Sequence, residues 1–175
     1  LQYEFKDGLE KYLKKRGSRH KTLDDLIKFN TDNAVREMPY FKQGILESSA
    51  KLGDLNSKAY IDAVETCRKY ARELGIDKAV NDNKLDAIVA PSNAPTWMID
   101  TVNGDCGSGY VSSSSLAAVA GYPNITVPAG FAKELPIGIS FFGKAWTEAT
   151  LIKFAYSFEQ ATRARRPPKY LATYK

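Results

Sequence analysis

Residues 103–123, "NGDCGSGYVSSSSLAAVAGYP", place four consecutive serines, Ser112 to Ser115, between a glycine-rich loop and a small-residue segment. Nucleophilic chemistry is the first possibility. A serine nucleophile needs a base to take its proton and donors for the oxyanion that develops. The one histidine, His20, stands among Arg16, Arg19 and Lys21 in what reads as an exposed turn, a poor setting for a Ser-His-Asp base. No Gly-x-Ser-x-Gly elbow follows a strand. A Ser-Lys pair stays open on composition, although no lysine has a buried-looking context near the run. The competing reading is structural. Serine favours helix N-caps, Gly121 suits the position after a helix and Pro123 forbids continuation, so residues 112–120 are expected as one short helix backing a site. A flexible linker fits worst, since Leu116, Ala117 and Ala120 follow at helical spacing.

The loop ahead of the serines follows the apolar run "LDAIVAP", and ligands of open α/β sheets bind outside the carboxyl ends of strands. Gly104, Gly107 and Gly109 permit close backbone approach, and amides at the helix start could hold a carbonyl or carboxylate. A mobile surface loop is the equally compatible alternative.

The elements around this stretch divide the chain in two. The first half reads as helical: Phe5, Leu9, Tyr12 and Leu13 share a face of a first helix, and Thr22 with Asp25 forms a capping box ahead of Leu23, Leu26, Ile27 and Phe29. Phe41, Ile45 and Leu46 mark another helix. A long one then runs from a Ser57 cap through Tyr60, Ala63, Val64, Cys67, Ala71 and Leu74 to Gly75 as its stop, and is expected to pack on a sheet. The second half changes period. "LDAIVAP", "NITVPAG" and "PIGISFFG" are short apolar runs of the kind expected for strands buried on both faces. A last helix, capped by Thr147, turns Leu151, Phe154, Ala155 and Phe158 inward, and Arg163, Arg165 and Arg166 close it at the negative end of its dipole. Strands alternating with helices predict the α/β class.

Composition bounds the rest. A chain of 175 residues with 43% hydrophobic content fits one globular domain or part of one. It begins at Leu1 without a leader, and so is expected to start inside a longer chain. No stretch approaches the roughly 20 apolar residues of a membrane span. The net charge of +5 comes without the stacking aromatics or recognisable module of a nucleic-acid binder. Cys67 and Cys106 have neither metal-ligand nor disulfide spacing, and no metal or organic cofactor is implied. Trp97 and Trp146 are expected to pack.

Taken in order, "NTDNAVREMPYFKQGILESSA", "LDAIVAPSNAPTW", "TVNGD", "SSSSLAAVAGYPNITVPAGF" and "LPIGISFFGKAWTEATLIKFAYSFEQATRARRPPKYL" resemble the carboxyl-terminal part of the amidase-signature hydrolases. That family contains amidases, peptide amidases and a glutamine-dependent amidotransferase component. The resemblance implies a mixed β-sheet flanked by helices, with residues 1–83 mainly helical and 84–175 supplying sheet core, all within the carboxyl-terminal part of a single amidase domain. It implies hydrolysis of carboxylic amides by a Ser-cisSer-Lys triad that lies upstream of this chain. The serines at 112–115 lack that motif's flanking glycines, so no catalytic residue carries over.

The resemblance makes Asn103, Gly104, Asp105, Ser112 and Ser113 the expected wall of the substrate pocket. In the glutamine-dependent branch an acidic residue here grips the substrate amino group; the matching position is near Val111, with Asp105 out of register, which points toward simple or peptide-terminal amides. The implied partners are a small-molecule amide and the amino-terminal half of the same amidase, with no nucleic acid and no membrane. A piece of the sheet alone would expose an edge and self-associate. The expected compartment is the cytoplasm rather than the exterior. Two further readings stay open: a stand-alone domain that keeps the scaffold without the chemistry, and a self-sufficient Ser-Lys hydrolase using residues 112–115.

Overall fold

The computed structural model describes residues 1–105, 107 and 111–170. The expectations for Cys106 and Gly109 fall outside them. Two compact units form, Leu1–Glu65 with Asp100–Gly104, and Thr66–Ile99 with Asp105–Lys175.

The first unit is built from α1 (Gln2–Lys15), α2 (Leu23–Asp32), α3 (Ala34–Glu37) and α4 (Gly44–Ala50). Thr22 caps α2 as its sequence predicts: its hydroxyl accepts from the Asp25 amide at 3.1 Å, and the Asp25 carboxylate accepts the amides of Lys21 and Thr22. The Lys21 bond, then the Thr22 bond, hold the Asp25 carboxyl below its usual range. A depressed pKa means that this capping is present at neutral pH and lost as the pH falls through the lowered value. Leu13 and Leu23 are buried. Of the apolar residues expected to mark the next helix, Phe41 lies ahead of α4 and is 56% exposed, Ile45 is 73% exposed and Leu46 is half-buried. Gln43 and Ser49 are buried instead, with Gln43 donating to Ile27 O and Thr31 Oγ1 and accepting from Asn30. An amide with every hydrogen-bonding group engaged can be buried where an unpaired one would be costly.

The long helix also departs from expectation. It begins as α5 (Lys58–Arg68), runs on over Lys69–Ile76 with a kink at Gly75, and is followed by α6 (Asp77–Asn83). Gly75 ends the first helical stretch, as expected, with a non-helical φ of −102° and ψ of −108°, and a second helix follows across the kink. A side chain could not follow that path, because a Cβ on Gly75 would lie 2.5 Å from the Tyr70 carbonyl oxygen. Ala63 and Cys67 are exposed, while Ala71, Ile76 and Val80 are buried.

The three predicted strands are present as β1 (Ile88–Pro91), β2 (Asn124–Ala132) and β3 (Leu135–Phe142), in the order β1-β3-β2. Among the described residues all pairings of the expected mixed sheet are antiparallel. β2 and β3 follow each other as a hairpin rather than across a helix. β1 and β2 are edge strands, not strands buried on both faces, and Val89 is 52% exposed. Their prolines, Pro91 and Pro128, suit that position, since proline gives no donor to a neighbouring strand.

Alternation along β3 divides the core of the second unit into two faces. Phe142, with Ile88 and Ala90, packs against Ala71, Ile76, Val80 and against Ala117 and Ala120 of α7 (Ser114–Ala120). Phe141, with Ile125, Val127 and Ile139, packs against Leu151 and Ala155 of α8 (Glu148–Thr162). The class is therefore α/β, helices on both faces of a sheet. Two cap predictions fail. Thr147 donates to Lys144 O at 2.7 Å instead of capping α8, and the arginines lie beyond its end, Arg166 resting over the Phe131 ring at 4.5 Å. Trp146 is 92% exposed rather than packed.

Candidate functional site

β1 ends at Pro91, and the serine run returns to the residues just past it. Asn93 bridges Ser112, the Ala94 amide donates to Val111 O at 2.9 Å, and the Ser113 amide donates to Ser92 O at 3.3 Å. The serines are therefore tied to the carboxyl end of a strand, where α/β folds place ligands.

Gly121 adopts the left-handed conformation after α7 (φ 67°), as expected. The opposite end differs: Ser113 stands at the cap position, but with φ −92° and ψ −6° it is already helical, and its side chain makes no cap bond. Serine caps from an extended backbone. Ser112 does the work from one residue back, its Oγ accepting the Ser114 amide at 3.3 Å and lying 2.8 Å from Ser114 Oγ. Ser113 is 7% exposed, and its buried Oγ has no hydrogen-bond partner among the described residues.

Three hydroxyls that the sequence reading passed over stand beside this run. Ser140 Oγ donates to Ser92 Oγ at 2.7 Å and lies 2.9 Å from Thr126 Oγ1, which in turn accepts from Ser92 at 3.2 Å. Each comes from a different strand or strand end, and register puts Ser140 opposite both Ala90 and Thr126. The signal was Thr126 and Ser140 inside apolar strands, with Ser92 just past the end of β1. Gly138 makes room for them: a Cβ there would meet Ser92 Oγ and Thr126 Cγ2, each at 2.8 Å.

The other expected wall residues divide between the units. Asn103 and Gly104 belong to the first, where Asp100 Oδ1 accepts the amides of Val102 and Asn103 and Oδ2 accepts the Asn103 side-chain amide, each at 2.9 Å. These bonds, that of the Asn103 amide foremost, lower the Asp100 pKa. Asn103 thus serves its own turn, and Gly104 has φ +83°. Asp105 belongs to the second unit and is exposed. Ser112 and Ser113 are the two wall residues brought together. At Gly107 a Cβ would lie 3.5 Å from the Trp97 ring, an ordinary van der Waals contact.

This is a neutral, hydroxyl-rich arrangement that can donate and accept hydrogen bonds. Among the described residues no histidine or lysine is hydrogen-bonded to Ser112, Ser113 or Ser114, and no three His, Cys, Asp or Glu residues are grouped to hold a metal. His20 lies against Phe29 in the first unit. A separate cavity of about 380 Å³ is lined by Phe131, Leu135, Pro136, Arg166, Pro167 and Lys169 among others, and none of the expected wall residues borders it.

The family profile described as Amidase matches residues 1–152, and the chain belongs to the amidase family. It is 36% identical to a probable amidase of Arabidopsis thaliana over 97% of its own length and 30% of that protein's. It is also 38% identical over 91 residues to a component of the glutamyl-tRNA(Gln) amidotransferase of Desulforudis audaxviator, covering 49% of this chain and 18% of that protein. Among solved structures it resembles the peptide amidase of Stenotrophomonas maltophilia, with 42% identity, a TM-score of 0.88, and coverage of 97% of this chain and 34% of that one. The chain thus spans about a third of the length of the two amidases. No helix among the described residues is long and apolar enough to cross a membrane.

Proposed function

We propose that this chain is the substrate-wall part of an amide hydrolase, in which a carboxylic amide and water become the acid and ammonia. The observation that carries the reading is the likeness to peptide amidase over nearly the whole chain, joined to a serine run that has no base bonded to it among the described residues. The nucleophile and its base, the Ser-cisSer-Lys triad, then belong to the part of the relatives that this chain does not span. Ser112 and Ser113 form the wall at the end of β1. Val111 stands where an acidic residue would grip the amino group of glutamine, so the reading favours peptide-terminal and simple amides. The partner of the chain is the amino-terminal half of the same amidase, and the unpaired edges of β1 and β2 make self-association the expected behaviour of the chain alone.

The test replaces Ser112 to Ser115 by alanine in the complete protein. A wall raises KM, by about tenfold for lost hydrogen bonds to substrate, and leaves kcat within about threefold. Loss of all turnover would make the run the nucleophile and overturn the reading.

A further inference from the structure

A second group of side chains holds the far end of α7. Arg72 Nε donates to the Ala120 carbonyl, the last of the helix, at 2.6 Å, and its guanidinium lies 5.4 Å from the centre of the Tyr122 ring. Tyr122 OH donates to Asp77 Oδ2 at 2.9 Å, and the Tyr122 amide donates to Ala117 O at 3.0 Å. The other Asp77 oxygen, Oδ1, is buried without a partner among the described residues. Burial first, and then the bond to Asp77, raise the Tyr122 pKa, so the phenol is protonated and able to donate at neutral pH.

The winding of the chain accounts for this geometry. Arg72 and Asp77 are five residues apart, and on a regular α-helix they would point about 140° away from each other. The chain kinks between them at Gly75, which breaks that regular winding, and both reach the same turn at Gly121 and Tyr122. The clamp has a purpose beyond packing. α7 has seven residues and buries only Ala117 and Ala120, side chains too small to fix its axial position or rotation. Its other end is the serine wall.

We propose that Arg72, Asp77 and Tyr122 are positioning residues, which set where the serine end of α7 stands and thereby how well the wall meets the amide. The proposal rests on the reading of that wall as a substrate site. None of the three touches the reacting atoms.

The experiment compares Tyr122→Phe, Arg72→Met and Asp77→Asn in the complete protein by steady-state amide hydrolysis and by hydrogen exchange. Tyr122→Phe and Arg72→Met are expected to raise KM about fivefold with kcat within about twofold, because a displaced wall weakens binding more than chemistry. Exchange at residues 112–116 should quicken about tenfold while that of β3 is unchanged. Asp77→Asn keeps an oxygen that accepts from Tyr122, and should stay within about twofold of the unsubstituted protein in both readouts. Unchanged exchange at 112–116 in Tyr122→Phe overturns the proposal, as does faster exchange spread equally over β3, which is the mark of general destabilisation. A complete protein that hydrolyses no amide refutes the proposed function instead, and exchange alone then decides on the clamp.

Discussion

Ser92, Thr126 and Ser140 are joined in a closed set of hydroxyl contacts across three strands, each able to donate once and accept from its neighbours. Gly138 leaves the space that they occupy. Gly138→Ala is therefore expected to cost about 1–3 kcal/mol as an overpacking change, read as a lower urea midpoint. A loss under about 0.5 kcal/mol, within the range of ordinary surface substitutions, would mean that the hydroxyls yield freely. The serine run was legible in the sequence because it is continuous. The three hydroxyls were not, because they lie 14 to 48 residues apart and only strand register brings them together. The Thr22 and Asp25 cap could be read because its partners are three residues apart. Which serine of the run bonds the start of α7, Ser112 rather than Ser113, turned on one backbone conformation, which residue type alone does not set.

At the scale of elements, the change from helical to strand period near residue 84 predicted where the sheet begins, and it begins at Ile88. Apolar runs alone could not distinguish an edge strand from a central one; Pro91 and Pro128 carried that information. Nor could periodicity show that a second helix follows the stop at Gly75 across a kink, since the burial of Ile76 is decided by α7 and β3, far away in sequence. α8 followed its pattern closely: Leu151 is 1% exposed and packs with Phe141 on the second sheet face. Leu151→Ala should destabilise the second unit by about 2–5 kcal/mol, through lost burial and the cavity left behind. Thermal denaturation followed by the far-ultraviolet signal of the sheet and α8 would measure it, and a shift close to zero would mean that α8 is not held by this contact.

For the whole molecule, the decisive fact is the length of its relatives. The matches take in 97% of this chain but 30% and 34% of the two amidases. Its outer surfaces fit that proportion. Val111, Leu116 and Val119 are each half exposed around the serine wall, and β1 and β2 each offer one unpaired edge. The proposed wall and its proposed clamp lie in this chain, and the proposed chemistry requires the rest. The most direct measurement is ammonia release from a panel of aliphatic, aromatic and peptide-terminal amides, by the 175-residue chain alone and by the complete protein in parallel. The account predicts turnover by the complete protein and none by the chain alone. Turnover by the chain alone that disappears when Ser112 to Ser115 become alanine would contradict it, and would place the nucleophile in the serine run itself.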